Sequence, residues 1–104
     1  MTIQEKQEKL FLIPDQKMNL ENKQKLAQIF SQIAKTNYQK VIIDFKNVKY
    51  IDCYALDKLL SLQKKLQKRD SELIITNLNY SFVKRFFELV DVEKIIPIKK
   101  QNYS

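Results

Sequence analysis

The chain contains no histidine, no glycine and a single cysteine, Cys53. Without histidine the commonest general base is missing, and neither a serine–histidine nor a cysteine–histidine nucleophile pair can be assembled. A lone cysteine forms no intrachain disulfide, and with no histidine beside it there is no self-contained zinc site, so neither metal nor cofactor is expected. No stretch approaches the roughly 18 apolar residues of a membrane span, and Met1–Lys9 is too polar for a secretory leader. These absences point to a non-catalytic protein of the cytoplasm.

What is present fits one domain spanning residues 1–104, with 44% hydrophobic and 30% charged residues, too apolar for a disordered chain. The formal charge of +7 would suit an acidic protein, nucleic acid or an anionic surface. The lysines, however, are dispersed from Lys6 to Lys100 without a long basic run, and their abundance, with that of Asn and Ile, reads as compositional bias. Binding of nucleic acid or nucleotide is therefore the weaker alternative.

Residues 1–8 are polar and aperiodic and read as a loose N-terminal arm. Leu10–Ile13 reads as a short strand ended by Pro14 and Asp15, and Leu20–Lys35 as a first helix capped by Asn19, with Leu26, Ile29, Phe30 and Ile33 on one face. Val41–Phe45 and Leu73–Thr76 are β-branched or aliphatic runs of the kind buried on both faces, hence adjacent interior strands. Between them Leu56, Leu59, Leu60, Gln63 and Leu66 mark the inner face of a second helix, Tyr54–Arg69. A short third helix carries Phe82, Val83, Phe86, Phe87, Leu89 and Val90, and Ile95–Ile98 forms a last strand, at an edge because Pro97 lacks an N–H. The alternation of strands and helices predicts an α/β domain with a mostly parallel sheet of four or five strands packed with about three helices.

From Val41 to Ile98 the chain resembles the STAS domains of bacterial anti-sigma factor antagonists and sulfate-transporter tails. Val41-Ile42-Ile43-Asp44-Phe45 followed by Tyr50-Ile51-Asp52 is similar to the family's central strand and its approach to a signature loop, and Leu73–Asn77 and Val83–Val92 to its next strand and final helix. That loop reads aspartate, two small hydroxyl residues, glycine and leucine in the family; here it is Asp52-Cys53-Tyr54-Ala55-Leu56. The resemblance implies a STAS-like protein–protein interaction module of signalling and transcription regulation. Its expected partner-binding residues are Asn19, Asp52, Cys53, Tyr54, Ala55, Leu56 and Lys58, and its expected partner is an anti-sigma factor or serine-kinase-like protein. In switching antagonists the residue after the loop aspartate is a phosphorylated serine or threonine. Here that position is Cys53, which is not expected to be phosphorylated, so the serine phospho-switch is absent.

Rival readings attach to the same residues. A helix N-terminus lowers a thiol pKa, which would suit a thiol enzyme or redox sensor at Cys53, but Asp52 and Asp57 oppose this and a plain loop residue is the simpler account. Asp44 and Asp52 lack the further acidic neighbours a magnesium site or acid–base pair needs, and Asp52 is expected instead to organise its loop by accepting local N–H bonds. Tyr50 and Tyr54 suit a protein contact, the Phe82, Phe86 and Phe87 set reads as core with one ring partly exposed, and Lys58, Lys64, Lys65, Lys68 and Arg69 form either a solvated face or one that greets an acidic partner. The alternative within binding modules is the small STAS subunit of a lipid-transport ABC complex, whose partner is the ATPase.

Overall fold

A computed structural model describes residues 2–19, 21 and 23–99. Among them the elements run β1 (Thr2–Lys6), β2 (Lys9–Ile13), β3 (Lys17–Met18), α1 (Lys23–Lys35), β4 (Lys40–Asp44), β5 (Tyr50–Ile51), α2 (Cys53–Gln67), β6 (Glu72–Thr76), α3 (Ser81–Leu89), a 3-10 turn (Val92–Lys94) and β7 (Ile98–Lys99). The main sheet has the order β1-β2-β4-β6-β7, and only β1 runs antiparallel to its neighbour. The expected α/β domain with a mostly parallel sheet of five strands and three helices is what forms.

The two aliphatic runs lie side by side at its centre, Val41 opposite Leu73, Ile42 opposite Ile74 and Ile43 opposite Ile75. Side chains alternate across a strand. Leu10, Leu12, Val41, Ile43, Leu73 and Ile75 accordingly face one way and join Leu26, Phe30 and Ile33 of α1, Leu59, Leu62 and Leu66 of α2, and Val83 and Phe87 of α3 in the main core. Phe11, Ile42 and Ile74 point to the opposite face and form a separate buried cluster. Leu62, absent from the face read in the sequence, is buried, while Leu60 is half-buried.

Gln63 is the polar intruder on that face. Its amide nitrogen donates to the Ile95 carbonyl at 3.0 Å, which ties α2 to the segment after the 3-10 turn. Arg69 departs further from its sequence reading as a surface cation. Its guanidinium donates to the Ala34 and Ile33 carbonyls at the end of α1 and to Ser71 Oγ, and Ser71 Oγ donates to the Tyr38 carbonyl at 2.9 Å. A delocalised fork reaches two carbonyls of the last helical turn at once, Ala34 and Ile33, the latter shared with Thr36, and a cation there also complements the negative end of the helix.

Three boundaries correct the sequence reading. The arm expected over residues 1–8 is instead a strand, Thr2–Lys6, paired along its length with β2 from Thr2–Ile13 to Lys6–Lys9. Every residue of it is exposed, so hydrophobic patterning gave no sign of it and ladder hydrogen bonds hold it. Glu5 also accepts from the Tyr38 hydroxyl, a bond that raises that phenol's pKa, with burial and the carboxylate's charge adding to it. Asn19 does not directly precede α1, which begins at Lys23, and Leu20, the expected first helical residue, lies outside the described residues. The last strand starts after Pro97 rather than at Ile95: Ile95 is exposed behind the 3-10 turn, Ile96 is buried, and the Pro97 carbonyl accepts from the Ile75 N–H at 2.9 Å before β7 begins at the sheet edge.

Candidate functional site

Parallel strands deliver their following loops to one end of the sheet, and the candidate site is built there. β3 and β5 form a small parallel pair with Lys17 opposite Tyr50 and Met18 opposite Ile51. The Asp52 N–H donates to the Met18 carbonyl at 3.2 Å, so the residues that follow, Asn19 and Asp52, run alongside one another. Asn19 is buried at this junction.

Asp52 caps α2. Its backbone is extended, with φ −114° and ψ 178°, and its carboxylate accepts the Ala55 N–H at 3.0 Å, satisfying one of the donors that every helix start leaves open. Cys53 follows as the first residue of the helix and is exposed. Tyr54 is half-buried, with Lys58 Nζ 5.3 Å from its ring centroid, one helical turn on. The structure thus brings Asn19, Asp52, Cys53, Tyr54 and Lys58 to one end of the fold.

Ala55 and Leu56 belong elsewhere. Ala55 is fully buried and Leu56 nearly so, because positions 55, 59, 62 and 66 form the inner stripe of α2. Their side chains reach the core and offer no contact surface, so their part is to fix the helix start that presents Cys53 and Tyr54. The alanine methyl at the family's glycine position occupies core space.

Asp44, at the C-terminal end of β4, accepts the Lys46 N–H at 2.9 Å and the Asn77 side-chain amide at 3.0 Å. These bonds bracket the loops after β4 and β6. Among the described residues no three His, Cys, Asp or Glu side chains gather where a metal ion could be held.

A row of aromatic rings extends this end of the fold, with more of it exposed than the single partly exposed phenylalanine expected from the sequence. Tyr50 and Phe82 stack with centroids 5.1 Å apart and planes 22° apart, Phe82 and Phe86 lie 6.5 Å apart at 12°, and Phe86–Phe87 and Phe87–Phe45 continue the row inward. Phe87 is core as expected, but Phe82 is 51% exposed and Phe86 half-buried. The available signal was a surplus of apolar residues: Val83 and Phe87 already fill one stripe of a nine-residue helix, leaving Phe82, Phe86 and Leu89 as a second.

The family comparison accords with this small α/β domain, whose strand-end loop presents a capped helix start. The STAS domain model matches residues 1–102, and the chain belongs to that family. Solved structures share its fold. A candidate anti-sigma factor antagonist from Thermotoga maritima superposes with a TM-score of 0.87 at 19% identity, over 96% of this chain and 86% of that one. The anti-sigma factor antagonist SpoIIAA in its unphosphorylated form gives 0.78 at 14% identity, over 96% and 88%. A sulfate transporter family protein from Wolinella succinogenes gives 0.69 at 14%, over 84% and 70%. No curated protein sequence matches the chain. Among the described residues no helix is long and apolar enough to cross a membrane.

Proposed function

We propose that this chain is a non-catalytic STAS module that binds an anti-sigma factor or serine-kinase-like protein through the exposed start of α2, without a serine phospho-switch. The observation that carries this reading is Cys53 itself. It occupies the exposed first position of the capped helix, where resemblance to switching antagonists puts a phosphorylated serine or threonine, and it offers a thiol instead. A phosphoryl group there would bring between about −1.5 and −2 charges to the interface. Lacking the acceptor hydroxyl, the module stays competent to bind, and control rests with the state of its partner.

The test places a charge at the same position. Cys53→Glu leaves the fold nearly intact, because an acidic residue is favourable in the first turn of a helix and the site is exposed. In a contact, the uncompensated carboxylate beside Asp52 and Asp57 costs on the order of 3–5 kcal/mol of binding. Pull-down from native extract with wild type, Cys53→Glu and Cys53→Ser, alongside thermal melts, checks both halves. Loss of the partner with Cys53→Glu and retention with Cys53→Ser is the expected result. A Cys53→Glu protein that melts normally and captures the same partner removes the loop from the interface.

A further inference from the structure

On α3 the outer stripe Phe82, Phe86, Leu89 is continued by Val90 beyond the helix end; Leu89 is 77% exposed and Val90 43%. The stripe runs about 10 Å along the helix, two turns at the helical rise. Its rings are already stacked on one another and on Tyr50, so little side-chain freedom remains to be lost when a partner arrives. Tyr50 stands two residues ahead of Asp52, which makes the stripe continuous with the Cys53 end of the fold.

The charges nearest the Tyr50 end and the middle of this apolar strip are cationic. Arg85, exposed, lies three residues after Phe82 and four before Leu89, on the stripe itself. Lys49 Nζ sits 5.6 Å from the ring centroid of Tyr80, at the head of α3, and Lys58 covers Tyr54 across the loop. The carboxylates lie to the other flank and beyond the helix end: Glu88, Asp91 and Glu93 line the groove with Lys84, and Asp91 is paired with Lys94 at 3.6 Å, while Asp57 lies on α2. A second copy would bring a further net charge of +7 to the contact, whereas an acidic partner would be drawn to Arg85 and Lys49.

We propose that the Phe82–Phe86–Leu89 stripe, with Tyr50, receives an amphipathic helix of the protein partner whose apolar face is flanked by aspartate and glutamate. The assignment deepens the binding function proposed above and rests on it: the start of α2 makes one part of the contact and α3 a second, where an apolar helix face meets an apolar strip with Arg85 and Lys49 beside it.

The experiment uses the full 15N-labelled chain and two synthetic peptides about four turns long, sharing one apolar stripe but flanked by Glu in one and by Lys in the other. The Glu peptide is expected to bind about tenfold more tightly than the Lys peptide at low ionic strength, with the advantage shrinking as salt is added. Amide shifts are expected at Tyr50, Phe82, Phe86 and Leu89. The double variant Phe82→Ser, Leu89→Ser is expected to lose about tenfold in affinity for the Glu peptide with an unchanged melt, since both side chains are exposed.

Equal binding of the two peptides, no binding, or shifts centred elsewhere overturns the assignment, as does a dimer in sedimentation that Leu89→Ser dissociates. Cys53→Glu separates the two proposals. If the Glu peptide still binds the stripe while Cys53→Glu keeps its cellular partner, the loop reading alone fails; if the peptide fails while Cys53→Glu loses that partner, the stripe alone fails.

Discussion

Asp52 governs how the start of α2 is presented. Its carboxylate holds the Ala55 N–H, and its own N–H reaches Met18, so one residue fixes both the start of α2 and the small sheet beneath it. Asp52→Ala removes the side-chain cap and keeps the backbone bond, and the expected cost is about 1 kcal/mol of stability. In a domain of this size that corresponds to a fall in Tm of about 4–8 °C, read by calorimetry, with Asp52→Asn recovering most of it because an amide oxygen also caps. The aspartate was legible in the sequence because capping chemistry is local. Leu56 was legible as inner face of α2 even while the motif marked it for binding; the burial of Ala55 was not, since a contiguous motif conceals that neighbouring helical positions point in different directions and that the inner stripe of α2 begins at Ala55.

At the scale of elements, the turn that ends α2 shows how a chain without glycine manages its helix ends. Asp70 adopts φ 59°, the Ser71 N–H returns to the Leu66 carbonyl at 2.9 Å and the Asp70 N–H to Gln67 at 3.1 Å, the paired bonds of a Schellman cap. Left-handed backbone costs an L-residue energy, less for aspartate than for most, and glycine escapes that cost. Asp70→Gly should therefore raise stability by about 0.5–1 kcal/mol, seen as a higher denaturant midpoint at constant m-value; a lower midpoint would show that the carboxylate makes a contact worth more than the strain. The preceding residue argues in the opposite direction. Arg69→Ala strips the donor from the Ala34 carbonyl and from Ser71 Oγ, while the Ile33 carbonyl keeps the Thr36 N–H and hydroxyl, and about 1–2 kcal/mol should be lost. Arg69→Lys should recover only part of it, because an ammonium does not reproduce the fork. A charged residue at the end of an amphipathic helix reads in sequence as a solvated cation; that it turns back onto α1 is a tertiary fact that no local pattern carries.

For the molecule as a whole, the sequence was most readable where burial is two-sided. β4 and β6 announce themselves as aliphatic runs and pair in the middle of the sheet, and α1 shows its buried face at Leu26, Phe30 and Ile33. β1 was unreadable because none of its residues is buried. Yet this exposed strand covers the edge of β2, whose central residues Leu10, Phe11 and Leu12 are all buried. Deleting residues 2–6 would remove a ladder of bonds worth only about 1 kcal/mol net apiece, and less at a fraying edge. It would also remove the Tyr38 hydroxyl's acceptor, Glu5. The larger consequence is geometric. The deletion would open an apolar strand edge able to pair with a second chain, the hazard that natural sheets suppress with charged or covered edges. The shortened chain should melt lower by the equivalent of about 2–3 kcal/mol and scatter light in proportion to its concentration, while the full chain stays clear. Replacing Thr2–Lys6 with a scrambled sequence of the same composition should restore most of the protection, because the strand contributes backbone pairing and charge rather than buried side chains. Failure of that rescue, with the melt still depressed, would assign specific side-chain contacts to β1 instead.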